Sequence, residues 1–124
     1  MDQLINAVIA QESSGIPHAV SSAGAIGLMQ IMPETAKEIA EELGLKAYDL
    51  TDPATNVRFG AHYLEKLIKA FGGDVELALT AYHSGIGRVK RLLKRAGGSR
   101  LEDIKRYLGP VGQRYASEVL SRMR

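Results

Sequence analysis

Glycine, proline and aspartate cut this chain into short helical stretches, and that punctuation limits the fold more than any other feature. Leu4, Ile5, Val8 and Ile9 make one apolar stripe at helical spacing, stopped by Gly15 and Pro17. Pro33 at a first-turn position, followed by Glu34, opens a second helix that Gly44 closes. Asp52-Pro53 reads as an N-cap and first residue of a long helix with the stripe Val57, Ala61, Leu64, Ile68 and Phe71, ended by Gly72 and Gly73. Asp74 caps a segment, 75–84, that is apolar nearly all round and so should be a buried central helix with Gly85 just past its end. A basic helix near 87–96 ends at Gly97 and Gly98, and a short helix near 101–107 follows. A last one opens at Pro110 with Val111, Tyr115, Val119 and Leu120 facing inward. Residues 16–32 lack this pattern; their Ala, Gly and Ser content predicts a loop with short helical turns, held close to other backbone. No strand-like alternation and no repeat occurs. The expectation is an all-α fold, one domain over residues 1–124, of about six to seven helices.

Composition narrows the function. Hydrophobic residues at 45% and charged residues at 24% exclude a disordered or fibrous chain. Without cysteine there is no disulfide, thiolate metal site or cysteine nucleophile. No apolar run approaches the roughly 20 residues of a membrane helix. The opening MDQLINAVIAQESS has an early acid and no basic region, so it does not read as a signal peptide; a longer exported parent or delivery by another machine is expected. Charge is asymmetric. Residues 1–62 carry three bases against eight acids, net −5, and residues 63–124 carry thirteen against six, net +7. Such a basic half is either a solvated surface or a dock for an anionic partner.

One carboxylate is out of place. At about 100° per residue, with Leu4 at zero, Val8 falls near 40°, Ile5 near 100° and Ile9 near 140°. Glu12 falls at about 80°, inside the apolar stripe. A carboxylate there is paired, protonated or lining a cleft, because a bare buried charge costs several kcal/mol; otherwise it bends to solvent as the last turn frays. Burial also raises a carboxyl pKa toward the range useful to a general acid. Ser13 and Ser14 follow, able to bond the carboxylate or nearby backbone. Met29-Gln30 ends the small-residue segment, and the Gln30 amide suits recognition of amides or hydroxyls. Tyr82 and Tyr115 lie on inward faces, either as core aromatics or as partners of Glu12. His18, His62 and His83 have no ligand-like spacing, and His62 falls beside Glu65 and Lys69 on the polar side of its helix; no metal is expected.

Together these segments resemble the catalytic domain of soluble lytic transglycosylases. Val8-Ile9-Ala10-Gln11-Glu12-Ser13 is similar to the family's "ES" motif with its catalytic glutamate. Residues 21–36, SSAGAIGLMQIMPETA, resemble its "GLMQ" region. Asp52-Pro53, Asn56-Val57 and Gly60-Ala61-His62-Tyr63-Leu64 resemble its "DP..NI..G..YL" segment. Ala81-Tyr82-His83-Ser84-Gly85 resembles "AYNxG", with His83 in place of the usual asparagine, and Arg114-Tyr115 with Val119-Leu120 loosely resembles the terminal "RxYVxxVL" element. The match covers roughly residues 4–120, with the 86–107 region shorter and more basic than the family pattern.

The resemblance implies a lysozyme-like domain with a substrate cleft. It also implies cleavage of the β-1,4 bond between N-acetylmuramic acid and N-acetylglucosamine in peptidoglycan, closing a 1,6-anhydro ring. Glu12 would be the sole general acid and base; Ser13, Met29, Gln30, Tyr82, His83 and Tyr115 would bind or orient substrate. No cofactor is implied. The expected partner is the glycan strand, with no nucleic acid; the expected state is a monomer. The expected place is the bacterial envelope, on the periplasmic or wall side, or delivery by a phage. Alternatives are a hydrolytic muramidase of goose-lysozyme type, a wall-binding domain without turnover, and a helix-hairpin-helix nucleic-acid binder suggested by Ser84-Gly85-Ile86-Gly87-Arg88-Val89-Lys90-Arg91. That last module explains nothing before residue 75.

Overall fold

The computed structural model describes residues 1–123. Among them are seven α-helices: α1 (Asp2–Ser13), α2 (Pro33–Leu43), α3 (Pro53–Ala70), α4 (Val75–Ser84), α5 (Ile86–Ala96), α6 (Leu101–Ile104) and α7 (Pro110–Ser121). A 3-10 turn over Lys105–Tyr107 follows α6. The helices start and stop where the capping residues require. Pro33 begins α2, and Gly44 ends it at φ 72°, giving its N–H back to the carbonyls of Ala40 and Glu41. Asp52 Oδ2 accepts from the Thr55 amide at the head of α3. Asp74 Oδ1 accepts from the Leu77 amide at the head of α4, a cap of about 1 kcal/mol. The described residues form two compact units, 1–63 with the C-terminal residues from 122, and 64–121.

In the first unit Leu4, Ile5, Ala7 and Val8 of α1, Ile39 and Ala40 of α2, and Phe59 of α3 are buried. Phe59 lies against Tyr48 with ring centroids 5.0 Å apart. Residues 16–32 depart from the expected helical turns. Ile26 forms isolated bridges to Val20 and to Ile31, and the chain reverses through left-handed residues at Gly24, Gly27 and Gln30. The cause is their glycine content, which admits positive φ where a helical turn would not. His62 of α3 is half-buried and bonds Glu42 of α2 at 2.8 Å.

The buried face of α3 is also rotated from the expected stripe. Asn56, Phe59, Gly60, Leu64 and Leu67 face inward, while Val57, Ala61, Ile68 and Phe71 are half-buried. A polar residue and a glycine sit on the inner face because the neighbouring loop needs a hydrogen-bonding hub and close backbone approach there.

In the second unit α4 packs against α5, α6 and α7, as a central helix should. Its Leu77, Ala78, Leu79, Thr80 and Ala81 are buried, joined by Val89, Leu101, Ile104, Leu108, Tyr115 and Val119. Val111, expected to face inward, is 58% exposed. It sits in the first turn of α7, beside the rim of a cavity, before the buried stripe begins at Tyr115.

Candidate active site

Glu12 is half-buried in the last turn of α1. The helix ends one residue later, and the structure shows how. Ser13 is buried; its hydroxyl donates to the Ile9 carbonyl at 3.1 Å and accepts from the Gly15 amide at 3.2 Å. Ser14 then turns left-handed at φ 53°. Ser13 therefore fixes the helix end that carries Glu12, and its hydroxyl proton goes to backbone rather than outward.

The loop 16–32 is pinned by one residue that local sequence patterns do not reveal. Asn56 is fully buried. Its Nδ2 donates to the carbonyls of Ile26 at 2.9 Å and Leu50 at 2.8 Å, and its Oδ1 accepts from the Met29 amide at 2.8 Å. Gly27 lies so close that an added Cβ would fall 2.1 Å from Asn56 Nδ2 and 2.7 Å from the Leu50 carbonyl oxygen. Met29 is 0% exposed and seats its thioether on Gly60, where an added Cβ would meet Sδ at 2.2 Å. The expectation that Met29 touches substrate is corrected in this respect: its side chain is a core peg holding the loop to α3. The Gln30 amide is likewise turned inward, with Nε2 donating to the carbonyls of Ala19 at 3.1 Å and Gly27 at 3.0 Å. Gln30 stays half-buried at φ 51°, a strained left-handed position that these two bonds help to hold.

The second unit carries the remaining candidates. Tyr82 is half-buried and His83 exposed, both in the last turn of α4. Tyr115 of α7 is buried. The His83 ring stacks on Tyr115, centroids 4.8 Å apart and planes 19° from parallel. The histidine that stands where the family pattern has asparagine thus covers one face of the phenol. Desolvation, and then repulsion from Arg88, hold the imidazole below its ordinary pKa, so it is neutral at pH 7 and donates one N–H. Asp49 and Asp52 turn to their own loop, each bonding a nearby threonine amide and hydroxyl, Thr51 for Asp49 and Thr55 for Asp52.

An all-helical chain with these elements in this order has the lysozyme-like fold, and solved structures agree. The 70 kDa soluble lytic transglycosylase of Escherichia coli superposes with a TM-score of 0.87 at 30% identity, over 99% of this chain and 21% of that one. The lytic transglycosylase Slt of Pseudomonas aeruginosa, solved as an inactive mutant with a glutamate changed to glutamine, gives 0.86 at 34% identity, again over 99% and 21%. The family model of the transglycosylase SLT domain matches residues 1–104, and the chain belongs to that family. The soluble lytic murein transglycosylase of E. coli is 38% identical over 96 residues, 74% of this chain and 15% of that protein. The transglycosylase of Enterobacteria phage PRD1 is 43% identical over 83 residues, 67% of this chain and 29% of that protein. The chain thus spans under a third of the length of these relatives.

Proposed function

We propose that this chain is a peptidoglycan lytic transglycosylase, cleaving the β-1,4 bond between N-acetylmuramic acid and N-acetylglucosamine with Glu12 as sole general acid and base. The observation that carries the reading is Glu12 itself: a half-buried carboxylate on a helix end locked by Ser13, in a chain similar over nearly its whole length to lytic transglycosylases. The relative from P. aeruginosa is inactive with glutamine in place of one glutamate, which supports a glutamate-dependent reaction.

The steps balance without water. Glu12 gives its proton to the glycosidic oxygen and the C1–O bond breaks. The substrate's own N-acetyl carbonyl holds the developing cation, as in substrate-assisted glycosidases. The Glu12 carboxylate then takes the proton of the muramoyl 6-hydroxyl, whose oxygen bonds to C1 and displaces the acetamido oxygen. A 1,6-anhydro ring results and Glu12 ends protonated. Tyr82, His83 and Tyr115 bind sugar; Ser13, Met29 and Gln30 act at one remove, fixing the backbone around the acid and the loop. General acid–base help supplies about 10²–10⁴ in rate, and positioning the remainder. The substrate places the chain at the bacterial envelope, reached by export or carried by a phage, and acting as a monomer.

The test is mass analysis of digested peptidoglycan with wild type and Glu12→Gln. Wild type should release muramoyl ends one water lighter than reducing ends. Glu12→Gln should keep its melting temperature and lose product by at least about 10²-fold. Reducing ends alone would mean a hydrolytic muramidase, and near-native activity of the variant would remove Glu12 from the mechanism.

A further inference from the structure

The second unit holds a cavity of about 270 Å³ at the junction of the α4 end, the α5 start and the first turn of α7; it shares His83 with the proposed site, and its other lining residues have no part in the steps above. His83, Ser84 and Arg88 line one side; Leu108, Val111 and Gly112 line the other; no acid contributes. Arg88 donates to the Tyr107 carbonyl at 3.0 Å, which aims its guanidinium, and it has no carboxylate partner among the described residues. One cation stands there with a neutral imidazole and a hydroxyl. Pro110 has no N–H, so the first-turn amides at the cavity wall are those of Val111 and Gly112.

The geometry points to a subsite for a single carboxylate on a short apolar stem: the carboxylate-ended peptide branch of a glycan strand. The reasons are charge, size and wall chemistry. One guanidinium with neutral donors matches a monoanion and offers its planar fork to a carboxylate, whereas a dianionic phosphate would call for a second cation. The volume falls below the roughly 300–1,000 Å³ that drug-sized ligands fill, so it takes one or two small residues rather than a run of sugars. Leu108, Pro110 and Val111 give apolar walls for methyl groups, and Val111 is held outward at the rim. This deepens the lytic reading, since it places a peptide-bearing unit of the same polymer against α4 and α7.

Backbone NMR titration of the whole chain with acetyl-alanyl-alanine tests it. The free carboxylate should shift the Ser84, Val111 and Gly112 amides, and its C-terminal amide should bind about tenfold more weakly. Arg88→Gln should give the same loss, while Lys94→Gln, which removes an equal charge elsewhere on α5, should not. Shifts of equal affinity with the amide, equal or stronger binding of inorganic phosphate, or no effect of Arg88→Gln would each overturn the subsite. On glycan, the ratio of kcat/KM for peptide-bearing over peptide-stripped strands should fall about tenfold in Arg88→Gln. The two readings fail separately: lysis without carboxylate binding removes the subsite, whereas carboxylate binding without lysis removes the enzymatic reading and leaves the subsite supported.

Discussion

Removing the Asn56 amide should loosen the loop that ends in Met29-Gln30, and the size of the effect follows from its bonds. In Asn56→Ala three hydrogen bonds go. The Ile26 carbonyl keeps a second donor, the Ile31 amide at 3.0 Å. The Met29 amide and the Leu50 carbonyl lose the side chain that holds them, and both of those bonds are buried. Two buried groups left unpaired cost about 1–3 kcal/mol each, so the loss is roughly 2–6 kcal/mol. A domain of this length has a total stability of roughly 6–19 kcal/mol at about 0.05–0.15 per residue. At about 4 °C per kcal/mol, the melting temperature should fall by roughly 8–24 °C, read by circular dichroism.

Asn56→Asp separates hydrogen bonding from shape. One carboxyl oxygen still accepts from the Met29 amide. The other meets the carbonyls of Ile26 and Leu50, which have no proton to give. Only the neutral acid can donate to one of them, so folding favours the protonated side chain and raises its pKa above the unfolded value. Stability relative to wild type is then greatest below the ordinary carboxylate range and is lost as pH rises through the raised folded value. The urea midpoint gap from wild type should be smaller at about pH 4 than at about pH 7. A loss under about 1 kcal/mol in Asn56→Ala, or a pH-independent gap in Asn56→Asp, would refute the hub.

Two further outcomes follow from the same geometry. Gly60→Ala should destabilise by about 1–3 kcal/mol, because the new Cβ meets the Met29 Cβ at 2.9 Å as well as its sulfur. In a Met29→Ala background the contacts to Sδ and Cε go and only the Cβ contact stays, so part of that loss should vanish, a double-mutant cycle that independent sites would fail. The His83 imidazole should titrate below the ordinary histidine range by NMR, with burial first and Arg88 second as causes. Its contribution to stability is therefore present above the ordinary value and lost as pH falls through the lowered one. Arg88→Gln should move the His83 midpoint upward, and an unmoved midpoint would remove Arg88 as a cause.

What the sequence made legible was what nearest neighbours determine. Pro33, Gly44, Asp74 and Gly97 act within one helical turn, so the ends of α2, α4 and α5 could be read from single residues. The family motifs carried Glu12 as a candidate because a carboxylate in an apolar stripe is itself a local anomaly. The hub could not be read this way. Asn56 bonds residues 27 and 30 positions away in the chain, and a hydropathy stripe counts asparagine as outward. The stripe on α3 was misplaced by about one residue for the same reason, since Val57 and Ala61 outscore Asn56 and Gly60 as apolar positions. Yet Gly60 and Gly27 held the missing signal. Two glycines, one within a helix and one in a loop, make sense once each is seen as room for a particular partner, the Met29 thioether and the Asn56 amide. Nor could the motif show that the Met29 side chain is a core peg and that Gln30 Nε2 bonds the loop's own carbonyls, because a motif reports which side chains occur together and not which way they point. Their bonds tie the loop to its own backbone and to α3, the kind of support that the proposed reaction, leaning on positioning, would need.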